Sequence, residues 1–228
     1  MNLRQGSLLD RIAPLFAAAR QCERMSCEVS RRQGELARST PLAHALVAQS
    51  RQEAMHAAVF ESVLALAPRG IAPPPRLAAA IGDYARRLHA DLDAGDLAAS
   101  LLGLQCVFEG IAAVALDPRE GELTRLGEQF LPPLSLVRRQ ETAHRRLGEA
   151  SLARLPVDPA RDAALQSTWL AYLDHAEAMT AAALAEFGGA PADVDHYRVH
   201  TRSCLEALAR GAPWRVDVDI AVAEPADA

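Results

Sequence analysis

Arg138-Arg139-Gln140-Glu141-Thr142-Ala143-His144 decides how this chain is read, because its Glu-x-x-His spacing has already occurred once, in Gln52-Glu53-Ala54-Met55-His56. On an α-helix a Glu and a His three residues apart lie about 60° apart around the axis and about 4.5 Å along it, so both reach one ion. One such match carries little weight by itself. Two carry more because of their order and setting: Glu23 precedes the first Glu by 30 residues and Glu109 precedes the second by 32, each an isolated acid among apolar helix positions. The order Glu, Glu-x-x-His, Glu, Glu-x-x-His supplies half of a dinuclear metal site twice over.

Glu109 is the strongest of the six. Leu97 to Leu116 is the most apolar stretch of the chain, and Glu109 is the one acid in its interior, in Cys106-Val-Phe-Glu109-Gly-Ile-Ala-Ala-Val114. A helix apolar nearly all round is central to its fold, and a carboxylate there has to be neutralised. Glu23 shares the face of Phe16 and Ala19, whereas Glu28 sits beside Arg24, Arg31 and Arg32 in a solvated charge network and ranks a distant second.

Helical rise supports the pairing. About 14 residues separate Glu23 from the turn at Ser39-Thr40-Pro41 and about 12 lead back to Glu53, which gives about 21 and 18 Å. From Glu109 to Pro118 and from Pro133 to Glu141 the same arithmetic gives about 13 and 12 Å. Antiparallel hairpins put both pairs of acids level.

Length and composition are consistent with this. The 228 residues suffice for one sizeable core and are read as a single domain, 1–228. Half the residues are hydrophobic and only 4% aromatic, with Ala and Leu filling the apolar positions, which favours helix over strand. All 24 basic residues are Arg, so lysine Schiff-base chemistry and a phosphate-binding P-loop lysine are excluded. A net charge of -5 argues against a nucleic-acid partner. Cys22, Cys27, Cys106 and Cys204 form no C-x-x-C pair and read as reduced, buried small hydrophobes. No apolar run reaches the ~18 residues of a membrane span, and no signal segment is evident, so no membrane partner and a cytoplasmic location are expected.

The remaining elements follow from breakers and caps. Thr40 caps and Pro41 opens the second helix; Pro75 leads a helix to Asp93; Gly95-Asp96 breaks and recaps before Leu97. A short helix over Glu120–Phe130, the helix bearing Glu141, and two later helices, about Ala160–Phe187 and Pro191–Arg210, complete the pattern. The fold class is all-α: a four-helix bundle over residues 8–156, two additional C-terminal helices over 157–216, and a loose acidic tail over 217–228. Asp193-Val-Asp195-His196-Tyr-Arg-Val-His200 is a weaker metal candidate, while His44, His89 and His175 read as surface.

Glu23, Glu53, His56, Glu109, Glu141 and His144 are thus the expected metal ligands and, through the metals, the expected catalytic residues. Four carboxylates cancel the charge of two divalent ions in a core where an unbalanced charge would be costly. Glu23 and Glu109 serve as terminal donors, Glu53 and Glu141 as bridges, and each imidazole gives one nitrogen per metal.

In these features the chain resembles the ferritin-like superfamily of di-iron carboxylate proteins over about residues 10–155. The likeness includes the helix from Pro75 to Gly95, which matches that family's crossover helix, and Leu147-Gly148-Glu149 after the last ligand. Length and layout are most similar to the aldehyde-deformylating oxygenases. The resemblance implies a non-haem di-iron oxidase or oxygenase with two iron ions (Fe2+, with manganese as the alternative at one or both positions) and O2 as co-substrate. It further implies a small organic substrate, a separate electron donor of the reductase or ferredoxin kind, and a monomer or homodimer. Ferroxidase and iron storage, or a di-manganese or iron-manganese protein, are the alternatives. Tyr and Trp are absent from the ligand helices, against a tyrosyl-radical role, and no rubredoxin-type cysteine pairs accompany the site.

Overall fold

The computed structural model describes residues 8–38, 40–67, 70–115, 134–155 and 159–187, with 199, 202 and 203 as isolated positions. Regular structure among them is entirely helical: α1 (Leu8–Ala37), α2 (Pro41–Leu64), α3 (Pro75–Asp93), α4 (Leu97–Leu101), a π-helical stretch (Leu102–Phe108), α5 (Glu109–Ala115), α6 (Leu134–Leu152) and α7 (Pro159–Phe187). The expected helix over Glu120–Phe130, most of Pro191–Arg210, the acidic tail, Cys204 and the His196/His200 candidate lie outside the described residues.

Local chemistry places the helix starts. Proline occupies the first helical position of α2, α3 and α7, where its missing N–H costs nothing. The Ala43 N–H donates to Thr40 Oγ1 at 3.1 Å, and the Ala99 N–H donates to Asp96 Oδ1 at 2.9 Å. Gly95, at φ +71°, takes the left-handed conformation that lets α3 stop and α4 begin at once.

Contacts fix the directions. Arg20 meets Glu61, Glu23 meets His56 and Cys27 meets Ser50, so α1 and α2 run antiparallel. Gln52 meets His144 and His56 meets Gln140, so α2 and α6 are antiparallel too. In contrast, α3 follows α1 in parallel, with Gln21 against Ala78 and Arg32 against His89 and Asp93.

Leu97 to Leu116 reads as one regular helix in the sequence, and the structure corrects this. Between Leu102 and Phe108 the hydrogen bonds slip by one residue, ending where the Glu109 N–H bonds the Leu104 carbonyl five residues back. Two close approaches accompany it. A Cβ on Gly103 would lie 2.3 Å from Tyr172 Cζ, and a Cβ on Gly148 would lie 2.4 Å from Gln105 Cβ. The buried rings of Tyr84, Phe108 and Tyr172 fill the space behind the stretch, and Tyr84 donates its hydroxyl to the Gly103 carbonyl at 2.7 Å. α7 therefore packs on α3 and on the π stretch. His175, expected at the surface, is half-buried, with its ring edge-on to Tyr84. Cys106 is buried as expected, while Cys22 and Cys27 are only half-buried.

Candidate metal centre

Each side chain of the site arrives by a local rule. Glu53 and His56, like Glu141 and His144, are three apart on their helices and point inward together. Glu23 comes from the middle of α1, and Glu109 from the residue at which the π stretch ends. Five of the six are essentially closed to solvent: Glu53 and His56 are 0% exposed, Glu109 1%, Glu141 2% and His144 3%. The Glu23 side chain retains 13%.

Ligand atoms of Glu23, Glu53, His56 and Glu141 lie within 4.8 Å of one another, and so do those of Glu53, Glu109, Glu141 and His144. The two shared residues have a distinctive pose. Glu53 places Oε1 3.0 Å from His144 Nδ1 and Oε2 3.2 Å from His56 Nδ1. Glu141 places Oε1 3.1 Å from His56 Nδ1 and Oε2 3.5 Å from His144 Nδ1. Each carboxylate thus straddles both imidazoles, as a bridging ligand must. Of the two imidazoles, Glu23 Oε2 meets that of His56, at Nδ1 and 3.2 Å, and Glu109 Oε1 approaches that of His144, at Nδ1 and 3.8 Å. The six expected residues are therefore brought together in two overlapping groups.

Sequence reading missed the glutamines around them. His56 Nε2 lies 2.7 Å from Gln140 Oε1, and His144 Nε2 lies 2.7 Å from Gln52 Oε1. Each helix thus braces the histidine of the other. Donation of Nε2–H to an amide oxygen fixes the tautomer and leaves Nδ1 facing the carboxylates. A second set is buried deeper. Gln49 Nε2 donates to Glu53 Oε1 at 3.0 Å and to Glu109 Oε1 at 3.2 Å. Gln105 Nε2 donates to Gln49 Oε1 at 3.1 Å and to Gln33 Oε1 at 2.7 Å, while Gln33 Nε2 donates to Ser100 Oγ at 2.9 Å. The one available signal was in plain view: Gln precedes Glu in both Gln-Glu-x-x-His segments.

Electrostatics divides the acids in two. Burial drives the Glu23 and Glu109 carboxyls well above the usual range, and neighbouring carboxylates add to the effect. Burial acts likewise on Glu53 and Glu141, but contacts from both histidines, and from Glu109 to Glu141, overcome it and hold them low. Burial alone would depress the histidines. Instead the carboxylates of Glu141, Glu23 and Glu53 push His56 up to about 12, and those of Glu141 and Glu53 push His144 up to about 9. Two imidazolium ions, two carboxylates and two neutral carboxyls thus sum to zero without metal; two divalent ions, four carboxylates and two neutral imidazoles also sum to zero.

The donors fit a metal on another count. Glu53 Oε2 and His144 Nδ1 are fully buried without a hydrogen-bond partner. Buried polar atoms are normally hydrogen-bonded, and two that are not, Glu53 Oε2 on the His56 side and His144 Nδ1 on the other, are the condition an ion relieves. Comparison with known proteins found no matching family model, no matching curated protein and no matching solved structure. What the chain does is therefore read from its own side chains.

Proposed function

We propose that this chain is a ferritin-like di-iron protein, with α3 as the crossover helix, and that it acts as a non-haem oxidase or oxygenase using O2 to oxidise a small organic substrate. The observation that carries the reading is the pose of Glu53 and Glu141, each straddling two imidazoles in a dry, charge-balanced core. Glu23, Glu53, His56 and Glu141 hold one ion and Glu53, Glu109, Glu141 and His144 the other, with manganese as the alternative metal. Two ferrous ions held there would supply dioxygen binding and electrons, which a separate reductase or ferredoxin would have to restore.

The protein's own residues position and enclose. Gln52 and Gln140 hold the imidazole rings, and Gln49 holds two carboxylates as acceptors. Leu101, Leu102 and Leu104, on the helix that leads to Glu109, are buried in the core. The small apolar cluster of Phe16, Phe60 and Val63 has its rings 5.8 Å apart, one to two helical turns from Glu23 and His56. On this reading these buried side chains are the apolar packing nearest Glu23, against which an apolar substrate would be held.

Anaerobic loading with Fe(II) followed by O2 tests this. We expect metal-dependent O2 uptake with a transient visible absorption, both lost in Glu109→Ala. No metal-dependent uptake by a loaded protein would overturn the oxygenase reading.

A further inference from the structure

The two halves of the centre are alike in ligand type and unlike in what supports them. The Glu53–Glu109–Glu141–His144 group is closed on every side: its most exposed member by residue, His144, is 3% accessible. It is also tied to the buried amide chain, because Gln49 donates to both Glu53 and Glu109. Gln49 is fixed in turn by Gln105 from the π stretch, and Gln105 by Gln33 of α1. All three glutamines are at most 2% exposed. Among the described residues the Glu23 carboxylate has no glutamine partner, and its side chain is the most exposed in the cluster.

The vacant valences differ as well. His144 Nδ1 makes no hydrogen bond, so an ion bound by that nitrogen displaces none there. His56 Nδ1 is hydrogen-bonded to Glu23 Oε2, and an ion entering that group has to displace an existing bond. After the first ion is in place, the shared carboxylates of Glu53 and Glu141 are already partly neutralised, which weakens the pull on a second.

From this we infer that the two metal positions are unequal. The Glu109–His144 position fills first and retains its ion, with the Gln33–Gln105–Gln49 chain as its positioning element. The Glu23–His56 position fills second, exchanges readily and is where exogenous ligands reach the metals. The inference rests on reading the cluster as a dinuclear metal centre.

Anaerobic titration of the full-length protein with Co(II), followed by visible absorption and native mass spectrometry, separates the possibilities. A singly loaded species should accumulate before the doubly loaded one. Glu23→Ala should keep the first ion and lose the second. Gln49→Leu should weaken the first step by about 10- to 100-fold, the usual cost of removing a group that orients a metal ligand. Gln33→Leu, which touches no carboxylate, should weaken the same step by less, and it decides the matter if Gln49→Leu does not fold by circular dichroism. Loading of both ions without a singly loaded form, or loss of the same ion in Glu23→Ala and Glu109→Ala, overturns the inequality. So does an unchanged first step in both glutamine variants. Absence of any Co(II) binding overturns instead the reading of the cluster as a metal centre.

Discussion

Glu23 and Glu109 are held neutral by burial while His56 and His144 are held charged by the carboxylates around them. Those four groups must all give up a proton before they can bind metal, because only carboxylates and neutral imidazoles ligate. Calorimetry in buffers of differing ionisation enthalpy should therefore show proton release on loading, and affinity should rise with pH through the His144 value of about 9. Loading without proton release would contradict this charge assignment.

The metal-free protein has the opposite slope. Glu23 and Glu109 keep protons in the native state above 4.5, where the unfolded chain has lost them, and both histidines do so above 6.5. Stability from these groups is full below those values and is lost as pH rises through the native ones. Glu53 and Glu141 contribute stability above 4.5 that is lost as pH falls. The melting temperature of the metal-free protein should fall between about pH 6 and about pH 9, and bound metal should remove that decline. Differential scanning calorimetry with and without metal checks it. At this scale the sequence was informative about charge: an isolated acid in an apolar helix announces itself. It was silent about Gln33, Gln49 and Gln105, since a neutral amide looks the same on a wet face as in a buried chain; only Gln52 and Gln140 carried a signal, by preceding Glu in both motifs.

Among the elements, the helices were legible from apolar spacing and from caps such as Thr40 and Asp96. Replacing Thr40 by Ala should cost about 1 kcal/mol in denaturant unfolding, because the Ala43 N–H loses its acceptor. The π stretch left no such trace: in Leu101-Leu-Gly-Leu-Gln-Cys-Val-Phe108 the one polar side chain is the uncharged Gln105, and a run apolar on every other face carries no periodicity that a one-residue slip in hydrogen bonding would disturb. Its supports are glycines. Gly103→Ala drives a methyl into the Tyr172 ring and Gly148→Ala drives one into Gln105, and each should cost about 1–3 kcal/mol by overpacking. Gly148→Ala should also weaken metal binding, because Gln105 anchors Gln49. Equal stability and affinity in the variant and the parent would show that the contact relaxes without consequence.

At the level of the whole chain, the antiparallel pairing of α1 with α2 could be anticipated from helical rise alone, since rise converts sequence distance directly into height. The packing of α7 against α3 and the π stretch could not, because it depends on ring contacts among Tyr84, Phe108 and Tyr172 that no periodicity encodes. Among the described residues no helix is long and apolar enough to cross a membrane. Size-exclusion chromatography addresses the assembly: if the proposed oxygenase reading holds the chain should elute as a monomer or dimer, and elution as a very large cage would favour iron storage.

The reciprocal glutamines have a consequence for heredity. Because Gln52 steadies His144 and Gln140 steadies His56, neither Gln-Glu-x-x-His segment can drift alone. A lesion in α2 is registered first at the ring carried by α6, and a lesion in α6 at the ring carried by α2. A change at either glutamine is therefore expected to be felt in the other segment, across a gap of more than eighty residues.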